Sequence, residues 1–174
     1  MKPNNQALQN IMTRTSVRGY SEENVSEEHV TTLLEAAMAA PTAGNCQPWE
    51  FVVISNKELL GRISKVHSVM GMAAKAPIAI TVVGVPTQAY PAANGYWIQD
   101  CSAATQNILL AAHAIGLGAV WCGVHPQTEK VIQISNLLNI PEGKVPFSVI
   151  VIGHLKKDKL PMCKWDPSKI SFLQ

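Results

Sequence analysis

Residues 40–52 read APTAGNCQPWEFV and join two segments of different character. Upstream, apolar residues recur at helical spacing between Ser26, a residue type that caps helix N-termini, and Pro41, which ends the run. Downstream, WEFVVIS (49–55) is rich in aromatic and β-branched residues, which favours a strand. The stretch therefore predicts a helix, a polar loop and a buried strand in close succession.

The remaining elements follow from the same periodicities. Further helices are predicted over Asn4–Met12, Lys57–His67, Tyr96–Ile115 and Gln127–Leu138, and further strands at IAITVVGV (78–85), AVWCGV (119–124) and FSVIVIG (147–153). This order of two helices followed by alternating strands and helices predicts a single domain over residues 1–174, with helices packed on a small central sheet. The sequence contains neither the GxGxxG nor the GxxxxGK[ST] nucleotide-binding pattern.

The composition narrows the functional classes. Of the 174 residues, 47% are hydrophobic and only 15% are charged, well below the roughly 25% that is usual for globular domains. A surface with so little charge suggests that a partner subunit covers part of it. A net charge of +2 is too small for a nucleic-acid-binding surface.

Cysteine and histidine spacing indicates neither disulfides nor a metal site. Cys46, Cys101, Cys122 and Cys163 form no CxxC pair, and the histidines lack HExxH spacing. With no leader-like start to the chain, we expect reduced thiols and a cytoplasmic location. Residues 101–128 carry no charge, but polar residues, glycines and a proline interrupt them, so a buried helix is favoured over a membrane span.

RTSVR (14–18) holds two guanidinium groups and two hydroxyl groups within five residues. Arginine side chains match the oxygen geometry of phosphate, and hydroxyl groups add donors. Residues four apart share a face in a helix and also in a strand. The motif therefore indicates an anion site, with a solvated arginine pair and a helix cap as the alternative.

The opening loop and a later segment are two more candidate binding regions. Thr42, Asn45 and Gln47 offer uncharged donors and acceptors suited to a heterocycle or a sugar chain, although a helix end followed by a turn has the same composition. GLGAVWCGVHP (116–126) predicts a strand after an uncharged helix, and its backbone N–H groups could face a ligand. It could equally be core.

Taken together and in this order, RTSVRGY (14–20), APTAGNCQPWEFVV (40–53), GLGAVWCGVHP and the tail GHLKKDKLPMCKWDPSKI (153–170) resemble the flavin-dependent nitroreductase family. The resemblance spans about residues 11–170. It implies an α+β fold in which helices surround a small mixed, mainly antiparallel sheet. It also implies a homodimer with FMN held at the subunit interface.

The resemblance also implies which residues contact FMN. They are Arg14, Thr15, Ser16, Arg18, Pro41, Thr42, Ala43, Asn45, Gln47, Trp121, Cys122, Gly123 and Lys164. Arg14 and Lys164 would meet the phosphate, and Arg18 the N1 and O2 edge, where a cation favours the anionic reduced flavin. The loop over residues 41–47 would reach FMN from the partner subunit, and the backbone of residues 121–123 would approach N5 and O4.

Three positions depart from the family pattern. Thr42 stands in place of serine, and Lys164 followed by Trp165 stands in place of arginine followed by tyrosine. A lysine there replaces a bidentate phosphate contact by a point charge. Residues 66–77, which carry a polar flavin contact in many members, offer only His67, Ser68 and Lys75.

The activity that the resemblance implies is ping-pong hydride transfer from NADPH or NADH, through flavin N5, to a small acceptor such as a nitroaromatic or a quinone. No catalytic side chain and no metal are expected, because the cofactor carries the chemistry. Tyr90, Tyr96 and Trp97 either shape the acceptor site or only pack. Two alternatives remain open: another flavin-dependent redox reaction on the same fold, and a non-enzymatic FMN-binding or storage protein.

Overall fold

The computed structural model describes residues 5–93 and 95–173. Its α-helices are α1 (Gln6–Thr13), α2 (Glu27–Met38), α3 (Lys57–Val66), α4 (Tyr96–Ala114) and α5 (Thr128–Leu138). Its strands are β1 (Trp49–Ile54), β2 (Ile78–Gly84), β3 (Leu117–Gly123) and β4 (Val145–His154). Among the described residues, their order along the chain is the predicted one.

Differences from the prediction are confined to boundaries and short helical turns. Asn5 caps α1 by accepting a hydrogen bond from the Leu8 amide, whereas the predicted start, Asn4, lies outside the described residues. The four 3₁₀ segments, which the periodicity did not reveal, are Ala43–Asn45, Ser68–Lys75, Pro86–Gln88 and Pro167–Lys169. Three of these segments are only three residues long, so they leave little periodic signal.

The four strands form one sheet in the order β1-β2-β4-β3. All three neighbouring pairs are antiparallel, and a parallel bridge between Ser16 and Ala119 adds to the free edge of β3. The predicted α+β architecture is therefore confirmed. The mixed character of the sheet comes from this bridge and not from a long parallel strand.

Strand alternation divides the core into two layers. On β2, Ile80 and Val82 face the cluster that packs against α2 and α4, whereas Ala79 faces the cluster that packs against α3 and α5. All of β2 is buried, which fits its position inside the sheet with helices on both faces. The sheet is thus a rigid support, and β3, one of its two edge strands, lies beside residues 14–18.

The turn from α4 into β3 fixes the start of that edge strand. Gly116 has a φ of +80°, a left-handed conformation that costs glycine little. The side chain of Asn107 donates to the Ala36 carbonyl oxygen at 2.9 Å, which ties α4 to α2.

Within the described ranges, no helix is both long and apolar enough to cross a membrane.

Candidate functional site

The RTSVR segment lies along the free edge of β3. The Val17 amide donates to the Ala119 carbonyl oxygen at 3.0 Å, beside the bridge formed by Ser16. Gly118 permits this approach, because a Cβ atom there would lie 2.7 Å from Cγ1 of Val17. The structure therefore brings the first and third sequence motifs into direct contact.

The C-terminal tail closes over the other side of this segment. Lys159 Nζ donates to the Ser16 carbonyl oxygen at 2.8 Å, and the Lys156 amide donates to the Gly19 carbonyl oxygen at 3.2 Å. The buried Tyr20 hydroxyl contacts the carbonyl oxygens of Val17 and Val151 at 2.8 and 2.9 Å. The segment is thus held between β3, β4 and the tail.

A cavity of about 770 Å³ lies between this segment and the tail. Its lining residues are Ile11, Met12, Arg14, Thr15, Ser16, Arg18, Gln106, Lys159, Leu160, Met162, Cys163, Lys164 and Trp165. Five of the predicted contact residues, four from the first motif and Lys164 from the tail, therefore line one space. All four charged residues of this lining are cationic.

Arg14 is the residue in this cavity whose hydrogen bonding is incomplete. Its Nη1 atom is buried and has no hydrogen-bond partner among the described residues. A buried guanidinium donor without an acceptor is costly, and an anion in the cavity would remove that cost. The donor set, with arginine, lysine and hydroxyl groups together, fits a phosphate on a polar chain.

Helix α1 leads directly into Arg14, which lines the cavity. Arg14 follows the last residue of α1 as its C-cap. The side chain of Asn10 donates to the Leu110 carbonyl oxygen at 3.0 Å, and Thr13 Oγ1 lies 2.8 Å from His113 Nε2, so α1 is fastened to α4. Burial, with a smaller contribution from the Arg14 charge, lowers the pKa of His113.

The loop over residues 41–47 is fixed by its own hydrogen bonds. Gly44, Asn45 and Gln47 all have left-handed backbones, with φ of +58°, +56° and +50°. The Gln47 amide donates to Thr42 Oγ1 at 3.2 Å, and its side-chain amide donates to Asn45 Oδ1 at 3.1 Å. Two consecutive left-handed residues and a third nearby form a compact turn rather than a flexible link.

Asp100 anchors that loop to α4. Its Oδ1 atom accepts a hydrogen bond from the Ala43 amide at 3.0 Å, and its side chain is buried. The Oδ2 atom is buried without a partner among the residues described. The carboxylate therefore serves the backbone of the loop and does not project into solvent.

The side chains of the loop are presented outward. Pro41, Asn45 and Gln47 are exposed, and no residue over 41–47 is among those that line the 770 Å³ cavity of the same chain. Tyr90 covers the other side of the loop, since a Cβ at Gly44 would lie 2.7 Å from Tyr90 Cδ2. The loop is thus ordered toward a surface that its own chain leaves open.

The last predicted region, at the end of β3, contributes backbone more than side chains. Trp121 packs against Phe147 with ring centroids 5.7 Å apart. The Cys122 thiol is buried 3.5 Å from the Val69 carbonyl oxygen, and burial raises its pKa. Gly123 is exposed. Cys122 is therefore a core thiol, whereas Trp121 remains partly exposed.

The polar residues before β2 supply no second cluster. His67 caps the 3₁₀ segment at Ser68–Lys75 by accepting from the Val69 amide at 3.3 Å, and Lys75 is exposed. Over residues 5–93 and 95–173, no group of three His, Cys, Asp or Glu side chains could hold a metal ion.

Sequence reasoning missed three positioning residues: Asp100, Lys159 and Tyr20. Asp100 carries a usable signal, because it is the last charged residue before the charge-free stretch of residues 101–128 and begins a buried helix face. Lys159 is one of several tail lysines, and nothing in the local pattern distinguishes it. Tyr20 could be recognised only through the long-range contact of its hydroxyl with β4.

Comparison with known proteins agrees with this geometry. The model of the Nitroreductase family matches residues 11–77 and 70–154. A protein of Methanothermobacter thermautotrophicus, provisionally named an NADH dehydrogenase/NAD(P)H nitroreductase, is 44% identical over 163 residues, which cover 94% of this chain and 84% of that protein.

Solved structures extend the likeness to the whole fold. A Bacteroides thetaiotaomicron protein with the same provisional name superposes with a TM-score of 0.93 at 37% identity, covering 99% of each chain. A provisionally assigned nitroreductase of Desulfovibrio desulfuricans, solved in complex with FMN, gives a TM-score of 0.85 at 30% identity and also covers 99% of each chain. The chain belongs to the nitroreductase family.

Proposed function

We propose that this protein is an FMN-dependent oxidoreductase that uses NADPH or NADH to reduce small acceptors such as nitroaromatics or quinones. The observation that carries the proposal is the cationic cavity with the unpaired, buried Arg14 Nη1 atom. A relative of the same length that was solved with FMN supports the choice of ligand. When bound, FMN supplies a hydride relay between the reductant and the acceptor.

The residues present fit FMN in three respects. Arg14 and Lys164 offer charge for the phosphate, and Thr15 and Ser16 offer polar groups for the ribityl chain. Arg18 carries a second guanidinium on the same segment and would supply positive charge to the pyrimidine edge. The tail adds apolar lining residues, among them Leu160 and Trp165, against which a flat ring could pack.

We further propose that two copies of the chain complete the site. The loop over residues 41–47 presents Asn45 and Gln47 away from its own cavity, so it would serve the cavity of a partner. The cavity rim is unusually apolar for an exposed surface: Ile11, Met12 and Trp165 are 55%, 60% and 74% exposed. Such side chains are typical of an interface that a single chain leaves uncovered.

The chain would bind and orient the reactants without proton transfer by a side chain. Asp100 is engaged by the loop backbone, and the thiols at Cys101 and Cys122 are buried core groups.

Stacked Tyr90 and Tyr96, 6.4 Å apart, flank the loop and would limit the size of the acceptor. Because stacking places few directional demands on a ligand, broad acceptor use is expected. The four free cysteines suit a cytoplasmic setting.

The visible spectrum of the purified protein tests this proposal. We expect a yellow protein whose flavin absorbance bleaches when NADPH or NADH is added without oxygen, and returns when a nitroarene or quinone is added. A yellow protein that neither nucleotide bleaches would instead be a storage protein. A protein that takes up no FMN would contradict the proposal altogether.

A further inference from the structure

A second, smaller cavity adjoins the one described above. It measures about 270 Å³ and is lined by Val17, Arg18, Gly19, Lys156, Lys157, Asp158 and Lys159. Arg18 and Lys159 line both cavities, so the two spaces share a wall. The lining includes four cationic residues and one acidic residue, an excess of three positive charges.

Among the described residues, none of these cationic side chains takes part in an ion pair. The described ion pairs that involve lysine join Lys144 to Glu50 and Lys169 to Asp166, and neither pair includes a residue of the small cavity. Lys159 donates to a backbone carbonyl oxygen instead of a carboxylate. Like charges that are held together without counterions attract an anion from solution.

The fold holds the two walls of this cavity in place. The Lys156 amide donates to the Gly19 carbonyl oxygen, and Tyr20 forms an antiparallel bridge with Leu155. A Cβ atom at Gly19 would meet nothing within 4 Å, so the space beside the backbone is open. Main-chain pairing thus positions the lysines, and their side chains can be altered without loss of these hydrogen bonds.

We propose that this small cavity, which we call the tail-lysine site, binds the 2′-phosphate of NADPH and makes the protein prefer NADPH to NADH. The two reductants differ only by that phosphate, and lysine and arginine side chains are suited to a dianion. The site adjoins the cavity assigned to FMN, so one reductant can reach both. This inference rests on the proposed function.

Replacement of two lysines that line only the small cavity tests the proposal. In the Lys156→Gln/Lys157→Gln double variant, kcat/KM for NADPH should fall about tenfold or more, since hydrogen bonds to charged groups contribute about 1.5–3 kcal/mol. The value for NADH should not change. Arg62→Gln/Lys65→Gln, which removes two exposed charges from α3, is the matched control and should leave both values unchanged at the same ionic strength.

A direct binding measurement separates this inference from the proposed function. Titration of the purified protein with 2′,5′-ADP should show tight binding that the double variant loses and a Lys156→Arg/Lys157→Arg variant retains. FMN content, read from the flavin absorbance, should be equal in all variants. If the unaltered protein bound no FMN, the proposed function would be contradicted. The 2′,5′-ADP titration would still report on the tail-lysine site.

Three outcomes would overturn the inference. The first is equal use of NADPH and NADH by the unaltered protein. The second is a loss of the same size for both reductants in the double variant. The third is a double variant whose KM rises for a negatively charged acceptor such as nitrobenzoate, while its kcat/KM for NADPH and for NADH is unchanged. That result would mean that the cations bind the acceptor.

Discussion

The cavity beside Arg14–Arg18 and the loop over residues 41–47 are both rich in hydrogen-bonding groups, but they are completed differently within one chain. The cavity has walls from α1, residues 14–18, α4 and the tail, and retains an unsatisfied buried donor on Arg14. In the loop, Thr42, Asn45 and Gln47 bond to one another, and Asp100 holds the Ala43 amide. The outward surface of the loop meets nothing in its own chain.

This difference shows how the site would be divided between two copies. A buried donor in the cavity has no acceptor, so a single chain would provide the charged half of the site. The loop holds Asn45 and Gln47 in left-handed backbone conformations, which cost free energy. No residue over 41–47 lines the 770 Å³ cavity of its own chain. Conformations of this kind persist where the surroundings stabilise them, and they are frequent at binding sites. Changes to the two regions should therefore have different consequences.

The largest effect is expected in the cavity. Arg14→Ala removes the unpaired guanidinium and should weaken FMN binding by about 10- to 100-fold, because charge-assisted hydrogen bonds contribute about 1.5–3 kcal/mol. Fluorescence quenching of FMN measures the Kd. Arg14→Lys should restore part of the affinity, whereas Arg62→Ala on the exposed face of α3 should change nothing. An unaltered Kd in Arg14→Ala would place the phosphate elsewhere.

A loss of stability is expected where the RTSVR segment (14–18) meets β3. Gly118→Ala places a Cβ atom against Val17, at 2.7 Å from Cγ1, and should lower the free energy of unfolding by about 1–3 kcal/mol through overpacking. Urea denaturation measures the change.

Gly61→Ala is the matched control for this glycine, because a Cβ atom at Gly61 in α3 meets nothing within 4 Å. Alanine there should stabilise the helix by about 0.5–1 kcal/mol. Equal effects of the two substitutions would mean that the approach of residue 17 to β3 does not depend on Gly118.

The loop is expected to respond to Asp100. Asp100→Ala leaves the Ala43 amide without its acceptor and should cost about 1–3 kcal/mol of stability. Asp100→Asn keeps an acceptor oxygen at the same place and should cost less. Thermal unfolding measures both variants.

The Asp100 variants also distinguish the two regions. If the loop belongs to a partner's site, FMN affinity should fall in Asp100→Ala although every cavity residue of the chain is intact. Full affinity in a destabilised Asp100→Ala protein would separate the loop from the FMN site.

The smallest effect concerns pH. The pKa of His113 in the folded state is lowered from 6.5, first by burial and then by Arg14, so the unfolded chain binds the proton more readily. Stability from this group is therefore complete above about pH 6.5 and declines as the pH falls toward the folded-state pKa.

Denaturation at pH 7.5 and pH 5.5 measures this effect. His113→Gln should make the stability less dependent on pH. Part of the dependence should remain, because burial also lowers the pKa of His125. A steeper dependence in His113→Gln would contradict the assigned sign.

The sequence predicted those parts of the fold and site that depend on local pattern. The short apolar run of β2 and the helical spacing after Ser26 predicted these elements. The spacing of Arg14 and Arg18, together with the resemblance, gave residues that line one cavity. The boundaries of β3 differed by two residues at the start, because Leu117 and Gly118 pair with β4 and their composition alone resembles a helix end.

The remaining features depend on contacts between residues far apart in the chain. Asp100 acts on Ala43 across 57 positions, and Lys159 acts on Ser16 across 143. The role of Gly118 follows only from the proximity of Val17, which belongs to a different motif. No local propensity encodes such pairs, so the supports of the site became visible only in the folded chain.

Mixed dimers test most directly whether two copies share each FMN site. One chain would carry Arg14→Ala, and the other Asn45→Gly/Gln47→Gly, which removes the loop amide groups but suits their left-handed backbone. Co-expression with two different tags isolates the mixed pair. The account predicts weak FMN binding in each homodimer and one tight site in the mixed dimer, built from the intact cavity of one chain and the intact loop of the other. A mixed dimer that binds no more FMN than its two parents would contradict it.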